Sequence, residues 1–382
     1  AQLLRSQWED REMHPTQFTR DDDGRVLEEV REQDARTYRT QYGYDSLGNV
    51  EYVTYPSGMV LWYLRQVPDP DRVTAVLAQP PGGSYTVLAD IITHTEAGLL
   101  TGYTMGNGLE YRVERGFRGR VARITAGVPG APTPDVLDLR YSYLDPATGG
   151  EDPTGNIRAI ADAVDTRDAE YLYDNLDRLI AATGWWGNLD WTYDKTGNRL
   201  SETRLDSGAT VPHQSTYHHQ DGTSRLTSVT DASSGTPEHV LEYDASGNAT
   251  RYDDLCLDYD GADRLVAIRR LTSPATCSRC AGSPTCPTVL VQENTYDYKF
   301  RRAKRVEYRD ADGNPLVPAR CTAFYHDQVD RLIADHNCST GSDPDAVDNV
   351  LAEYVYLEGY HVLAVRRGGA WYWYLNDHLP TP

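Results

Sequence analysis

A tyrosine followed by an acid recurs along this chain, at intervals of roughly 25 residues from Tyr173 onward, and this repeat constrains the fold more than any other feature. Clear copies begin at Tyr44, Tyr173, Tyr193, Tyr243, Tyr259 and Tyr296, with their acids at Asp45, Asp174, Asp194, Asp244, Asp260 and Asp297. Degenerate copies begin at Tyr217 and Tyr325. A catalytic site usually occurs once in a chain, so the repetition predicts a structural rather than a catalytic role for the Tyr-Asp pairs.

Each copy predicts one β-hairpin. The residues before the acid alternate apolar and polar, which indicates a strand, and Asp opens a turn by accepting a hydrogen bond from a backbone N–H two residues on. Gly48, Gly197 and Gly247, four residues after their tyrosines, supply the positive φ that such a turn requires. Asp177 and Asp263 stand where glycine is expected, and Asp tolerates that conformation better than most residues. The tyrosine and the apolar residue after the turn should therefore face the same side of the sheet.

The hairpins predict an all-β chain, because no long segment carries a sustained helical stripe of apolar residues. A short hairpin cannot bury its own face, so successive hairpins should stack into one long antiparallel sheet. We expect an elongated or spiralling array rather than two compact domains. Tyr outnumbers Phe by 27 to 4, which favours a thin structure whose aromatic hydroxyls reach polar partners over one with a dry core.

The regularity of the pattern predicts three segments. Residues 1–170 carry degenerate repeats, and residues 171–335 carry regular repeats interrupted by a cysteine-bearing loop at 272–287. Residues 336–382 form a different, terminal element. Because the chain does not begin with Met, we expect it to be a segment of a longer protein.

Charge excludes one class of partner. The net charge of −20 argues against nucleic acid or an anionic membrane surface, and no apolar run reaches the roughly 18 residues of a membrane span.

The repeats resemble the YD (Rhs) repeats of bacterial Rhs polymorphic toxins, of the C components of Tc toxin complexes and, more distantly, of animal teneurins. The C-terminal end is similar to the element that closes the Rhs core, in which Asp377, His378 and Leu379 match an Asp-His-Leu-Gly-Thr-Pro motif, with Pro380 in place of its glycine. The resemblance covers nearly the whole chain and is strongest from Tyr171 onward. It implies a coiled antiparallel β-sheet, a spiral or barrel-like shell that encloses a polypeptide. No protease motif of the family is found here.

The six cysteines, including Cys256, all lie in the last third of the chain. An even number in an exported protein favours disulfides over metal ligands or free thiols. The candidate disulfide residues are Cys277, Cys280, Cys286, Cys321 and Cys338. We expect one bridge within the loop from Cys277 to Cys286 and a second between Cys321 and Cys338.

Chemical motifs are otherwise weak. Asp377 and His378 could form an acid–base pair, but adjacent residues on a strand point to opposite faces and no nucleophile motif accompanies them. The sequence contains no phosphate-binding loop and no dinucleotide fingerprint. We therefore expect no catalytic residue, cofactor or metal.

The sequence thus predicts a non-enzymatic shell segment that encloses and shields a polypeptide cargo, such as the C-terminal toxin of an Rhs or Tc-like protein. Its partners would be that cargo or the remainder of a larger parent chain, and it would be secreted or carried on the bacterial cell surface. The alternative is an extracellular scaffold or adhesin that binds carbohydrate or protein.

Overall fold

The computed structural model describes residues 2–6, 16–33, 36–66, 69–145, 148–272, 288–339, 349–357, 359 and 361–379, and it is all-β, as predicted. A single turn of 3-10 helix covers Phe117–Gly119. The thirty described strands are β1 (Gln2–Ser6), β2 (Thr16–Arg20), β3 (Val26–Gln33), β4 (Arg36–Tyr44), β5 (Val50–Thr54), β6 (Val60–Gln66), β7 (Asp69–Gln79), β8 (Thr86–His94), β9 (Leu100–Met105), β10 (Glu110–Arg115), β11 (Val121–Gly127), β12 (Leu137–Ser142), β13 (Ala159–Asp162), β14 (Ala169–Tyr173), β15 (Leu179–Gly184), β16 (Gly187–Tyr193), β17 (Arg199–Asp206), β18 (His213–His219), β19 (Leu226–Asp231), β20 (Pro237–Tyr243), β21 (Ala249–Tyr252), β22 (Leu255–Tyr259), β23 (Leu265–Leu271), β24 (Thr288–Tyr296), β25 (Arg302–Arg309), β26 (Pro315–His326), β27 (Leu332–Asn337), β28 (Val350–Tyr356), β29 (Val362–Arg367) and β30 (Ala370–Trp373).

Most of the described strands pair antiparallel with the next strand in the chain, as in a run of hairpins. The pairing register shifts by one residue just before the motif tyrosine, so that Tyr173 lies opposite Leu179 and Tyr193 lies opposite Arg199. The same shift precedes Tyr44, Tyr243, Tyr259 and Tyr296. The cause is the turn itself, which adds a residue with positive φ to one strand and thereby forms a β-bulge.

The described strands form two compact units. Unit 1 contains residues 1–113, 126–133 and 292–382, and unit 2 contains residues 114–125 and 134–291.

In unit 1, strands from the two ends of the chain pack face to face. Tyr55 donates a hydrogen bond of 2.8 Å from its hydroxyl to the Tyr354 carbonyl, and the rings of Tyr38 and Tyr325 lie 4.4 Å apart. Between the layers lies a core of fully buried side chains: Leu61, Val76, Ala78, Leu88, Ala323, Ala334, Val355, Leu363 and Ala364. The prediction of a thin structure without a dry core is therefore wrong for unit 1. The reason is visible in β29, where four consecutive apolar residues, 362–365, are all buried, so both faces of the strand are covered.

The side chains of unit 2 are less buried than those of unit 1. From β13 to β23 most described side chains are half-buried or exposed, and β16 alternates between these two classes along its whole length. The buried ones in this range are Ala169, Ala182, Ser215, Val229, Cys256 and Ala267, and each keeps a few per cent of exposed surface. These strands lack the covering layer that gives unit 1 its core.

Candidate functional site: an inter-repeat clamp

The Tyr-Asp turn is closed by the aspartate carboxylate. Asp174 Oδ1 accepts hydrogen bonds from the backbone N–H groups of Leu176 (2.9 Å) and Arg178 (3.0 Å). The backbone N–H of Asp174 donates to the Arg178 carbonyl at 2.9 Å, which completes a five-residue turn. Asp177 has the positive φ of 58° expected of the glycine position, and Gly197 and Gly247 have φ of 94° and 97° in the corresponding turns. The carboxylate therefore satisfies main-chain donors that would otherwise be unpaired.

The arginine four residues after the aspartate connects one turn to the next. Arg178 presents Nε and Nη2 to Asp174 Oδ2, at 2.7 and 2.6 Å. Its third nitrogen, Nη1, donates to the Asp194 carbonyl of the following turn at 2.8 Å. The guanidinium also lies over the Tyr193 ring, 4.9 Å from its centroid, within the range of a cation–π contact.

The tyrosine connects its repeat backward. The Tyr193 hydroxyl donates to the Leu179 carbonyl of the preceding repeat at 2.8 Å. The same bond, to the first apolar residue after the preceding turn, runs from Tyr44 to Val26, Tyr143 to Val121, Tyr173 to Ile157, Tyr243 to Leu226 and Tyr356 to Leu332. We call the set formed by Asp174, Arg178 and Tyr193, and its counterparts in other repeats, the inter-repeat clamp. It joins neighbouring hairpins by side chain to main chain contacts and does not require a buried core.

Two chemical forms of the clamp occur. The residue four positions after the aspartate is arginine in the pairs Asp21–Arg25, Asp174–Arg178, Asp260–Arg264, Asp297–Arg301 and Asp327–Arg331. It is asparagine, donating from Nδ2, in the pairs Asp45–Asn49, Asp194–Asn198, Asp244–Asn248 and Asp310–Asn314. Arginine has a third nitrogen that reaches a main-chain carbonyl of the next turn, whereas asparagine has a single amide nitrogen. Asn248 Nδ2 donates both to Asp244 Oδ2 at 3.0 Å and to the Asp263 side chain of the next turn at 2.7 Å.

These hydrogen bonds favour the ionised carboxylate. Those from Arg178 lower the pKa of Asp174. Desolvation opposes ionisation of Asp194, but hydrogen bonds from Thr196 and Asn198 lower its pKa to about 2. Asp174 and Asp194 are therefore fixed acceptors at neutral pH rather than proton-transfer groups.

The remaining candidate residues from the sequence also lie in the turns. Asp260 and Asp297, which follow Tyr259 and Tyr296, hold Arg264 and Arg301, and the Asp297–Arg301 pair is nearly buried, with 4% and 10% of the side chains exposed. Gly48 has φ of 88°, and its N–H donates to the Asp45 carbonyl at 3.0 Å.

The terminal motif follows the last described strand. Asp377 and His378 lie after β30 rather than on a strand, and the closest side-chain atoms, His378 Nδ1 and Asp377 Oδ2, are 3.8 Å apart. Asp377 Oδ1 instead accepts a hydrogen bond from the Leu379 N–H at 2.8 Å.

One expected disulfide is confirmed. Cys321 and Cys338 form a disulfide, with their Cα atoms 4.9 Å apart. Cys321 lies in β26, and Cys338 directly follows the neighbouring strand β27. Cys256 is also disulfide-bonded. The bridge expected within 277–286 lies outside the described residues.

Sequence reasoning missed one clamp. Asp152 Oδ1 accepts from the N–H groups of Thr154 and Gly155, and Oδ2 accepts from Arg158, whose guanidinium lies 5.1 Å from the Tyr173 ring centroid. No Tyr-Asp pair opens this segment, so the tyrosine-acid repeat does not identify it. The signal that identifies it is the Asp-x-Thr-Gly-Asn pattern at 152–156, which also occurs at 194–198.

A buried polar group that the sequence did not predict anchors the terminal element. His361 Nε2 contacts the Tyr103 hydroxyl and Asn376 Nδ2, each at 3.1 Å. The Tyr111 hydroxyl donates to the Asn376 carbonyl at 2.9 Å. Burial lowers the pKa of His361 to about 4, so the ring is neutral at pH 7. The residue preceding Asp377 is thus held by strands β9 and β10 of the N-terminal third.

Within the described part of the chain, one group could hold a metal ion: His213, Asp231 and Glu238, whose ligand atoms lie within 4.8 Å of one another. The histidine already lies between the carboxylates, with Nε2 2.5 Å from Glu238 and Nδ1 3.3 Å from Asp231. Hydrogen bonding therefore accounts for the arrangement. No described helix is long and apolar enough to cross a membrane.

The fold is similar to that of solved Tc toxin structures. A Photorhabdus luminescens Tc holotoxin pore carrying a TccC3 mutation matches with a TM-score of 0.65 and 15% identity over 93% of this chain and 19% of that one. The crystal structures of TcdB2-TccC3 and TcdB2-TccC3-Cdc42 both match with a TM-score of 0.62, at 14% and 15% identity, over 94% of this chain and 21% and 20% of theirs. No protein-family model and no curated protein sequence matches.

The expected likeness to the YD-repeat shell is therefore confirmed at the level of the fold. The chain spans about a fifth of the length of the solved chains it matches.

Proposed function

We propose that this chain is a wall segment of a YD-repeat shell, which encloses and shields a polypeptide cargo as part of a larger, exported bacterial protein of Rhs or Tc type. The observation that carries the proposal is the inter-repeat clamp in unit 2. It joins successive hairpins without a covering layer, which is the requirement for a wall one sheet thick. The fold likeness to the Tc structures supports the same assignment.

The proposed mechanism is physical separation rather than catalysis. A hydrogen-bonded sheet presents no unpaired backbone groups within its surface, so neither a protease nor a partner strand gains access through it. The turn aspartates, which carry the most regular side-chain chemistry, are occupied by main-chain donors and by Arg or Asn. This supports a role without enzymatic activity.

The test uses the parent protein, expressed from its gene with whatever sequence flanks these residues. We expect a polypeptide within it to resist trypsin while the shell is intact, and to be digested after the shell is opened by denaturant. Mass spectrometry of the peptides released in the two conditions identifies the protected region, and cryo-electron microscopy shows whether density lies inside.

A parent protein whose peptides are digested equally in both conditions, with no enclosed density, would contradict the proposal. Saturable binding of a glycan or protein to that same unprotected parent would favour the extracellular scaffold instead.

A further inference from the structure

A partly open cavity of about 470 Å³ lies in unit 1, where turns from both ends of the chain meet. Its wall includes the turn residues Gly24, Gly48, Gln328 and Gly359. Apolar and aromatic side chains form much of the remaining wall, including Val50, Val53, Val73, Tyr44, Tyr63 and Tyr356.

The charge of this wall is opposite to that of the chain. Among the described lining residues, four are arginines, namely Arg20, Arg25, Arg65 and Arg331, whereas Asp327 is the sole acid. In a protein of net charge −20, this is a local concentration of positive charge.

Two of the four arginines are already neutralised. Arg331 pairs with Asp327 at 2.7 Å, and Arg25 pairs with Asp21 at 2.7 Å. Neither Arg20 nor Arg65 has a carboxylate within ion-pair distance in the described part of the chain. Arg20 donates to the Gly24 carbonyl at 2.7 Å, and its guanidinium lies 5.7 Å from the Phe18 ring centroid.

Arg65 resembles a clamp arginine that lacks its aspartate. In Arg178 and Arg331, Nη1 donates to a carbonyl while Nε and Nη2 hold a carboxylate oxygen. In Arg65, Nη1 donates to the carbonyls of Val50 (2.8 Å) and Tyr63 (3.4 Å). Its Nε is buried and has no hydrogen-bond partner among the described residues. The hydrogen bonds that Arg65 makes to described residues come from Nη1.

We infer that this cavity binds a small ligand that carries a carboxylate on an apolar or aromatic body. The Nε–Nη2 edge of a guanidinium matches a carboxylate in a planar, two-bond geometry, and a buried N–H left unpaired favours an incoming acceptor. The tyrosine rings and valine side chains would receive the apolar body. A ligand carboxylate would thus take the place at Arg65 that a turn aspartate takes in the clamp.

The first test compares N-acetylphenylalanine with its uncharged amide on the unaltered chain, by isothermal titration calorimetry and saturation-transfer NMR at low salt. We expect saturable binding of the acid and about tenfold weaker binding of the amide, because the interaction with Arg65 is lost. Equal binding of the two compounds, or no saturable binding of the acid, would overturn the proposal. This comparison needs no variant, so it does not depend on how a substitution affects folding.

The second test locates the site. Arg65→Met and Arg20→Met should each weaken binding of N-acetylphenylalanine, the first about tenfold or more. Arg309→Met is the matched control for Arg20, because Arg309 Nη1 donates to the Gly313 carbonyl at 2.7 Å in the equivalent turn but does not line the cavity. Unchanged affinity in Arg65→Met, or an equal loss in Arg309→Met, would show that the acid binds elsewhere.

Discussion

The two units of this chain use the same hairpin but hold it in place differently. In unit 1 strands from the two ends of the chain cover each other, and Leu363 and Val355 have no exposed surface. In unit 2 the corresponding strands are half-exposed, and the clamp of Asp174, Arg178 and Tyr193 joins one hairpin to the next. One repeat motif is therefore compatible with both a packed core and a single layer, because its contacts are made at the turn and not through the sheet face.

The largest expected difference is between a nearly buried clamp of unit 1, Asp297–Arg301, and a more exposed clamp of unit 2, Asp174–Arg178. Arg301→Met leaves the nearly buried Asp297 side chain without its arginine partner, and we expect it to destabilise unit 1 by about 3–5 kcal/mol. Arg178→Met breaks the same contacts in unit 2, where 22% of the Asp174 side chain is exposed, and should have a much smaller effect. Hydrogen-exchange mass spectrometry, read on peptides from each unit, measures both. Equal effects would mean that burial does not distinguish the two clamps.

The next comparison removes apolar surface. Leu363→Ala creates a cavity in the core of unit 1 and should cost about 3 kcal/mol in the free energy of unfolding. Leu172→Ala in unit 2 is the control, because 44% of Leu172 is exposed, and we expect its cost to be below about 1 kcal/mol. The free energy is obtained from denaturant titrations that follow fluorescence. If Leu172→Ala were as damaging as Leu363→Ala, the strands of unit 2 would have a covered face.

Acid should affect unit 1 before unit 2. Burial lowers the pKa of His336 to about 4, so between pH 6.5 and 4 the unfolded chain takes up a proton that the folded chain does not. Stability is therefore lost as pH falls through that window. In unit 2 the pKa of Asp174 is lowered by Arg178, so its contribution is lost only as pH falls below its unfolded value of 3.8.

The variant His336→Phe separates these effects. Both ring nitrogens of His336 lack a hydrogen-bond partner within the described residues, and the ring packs against Tyr38 and Tyr325. An aromatic ring without a proton to gain should keep the packing and recover about 2 kcal/mol at pH 4.5 relative to the wild type. Denaturant titrations at pH 7 and pH 4.5 measure the change. An unaltered pH dependence would assign the acid sensitivity to other groups.

The smallest expected effect is that of one clamp bond. Tyr193→Phe removes the hydroxyl that donates to Leu179 but keeps the ring under Arg178, and it should cost about 1 kcal/mol. Amide exchange in β15 and β16 should accelerate, while β28 and β29 stay unchanged. Tyr252→Phe is the control, because among the described residues the Tyr252 hydroxyl has one contact, to His239 Nδ1 at 3.4 Å, and none to a neighbouring repeat. If amide exchange were the same in the two variants, the Tyr193 hydroxyl would not contribute to the stability of the clamp.

The local part of this fold could be predicted from the sequence, because a hairpin is specified by adjacent residues. The four-residue spacing from Tyr173 to Asp177 predicts the position of positive φ, which Asp177 adopts. The core of unit 1 could not be found in this way. Tyr55 and Tyr354 meet across 299 residues, and no local pattern specifies which of many similar strands will face each other.

The candidate site, too, could be predicted from the sequence only in part. The role of Asp174 in its own turn follows from its position before two backbone N–H groups. The reach of Arg178 to the next turn depends on the spacing between adjacent strands, and the motif alone does not give it. The cavity beside Arg65 depends on turns contributed by both ends of the chain, so it is visible only in three dimensions.

The clamp also determines where this chain can change length. From β14 to β23 the motif turns are every second connection, and they lie at one edge of the sheet because successive connections in an antiparallel array lie at opposite edges. At that edge Arg178 must reach the Asp194 carbonyl, so an inserted residue would separate the two turns. At the other edge the connections already differ, from Asp253 and Asp254 between β21 and β22 to residues 207–212 between β17 and β18. Insertions, reporter tags and evolutionary divergence in length should therefore be tolerated at one edge of the sheet and rejected at the other.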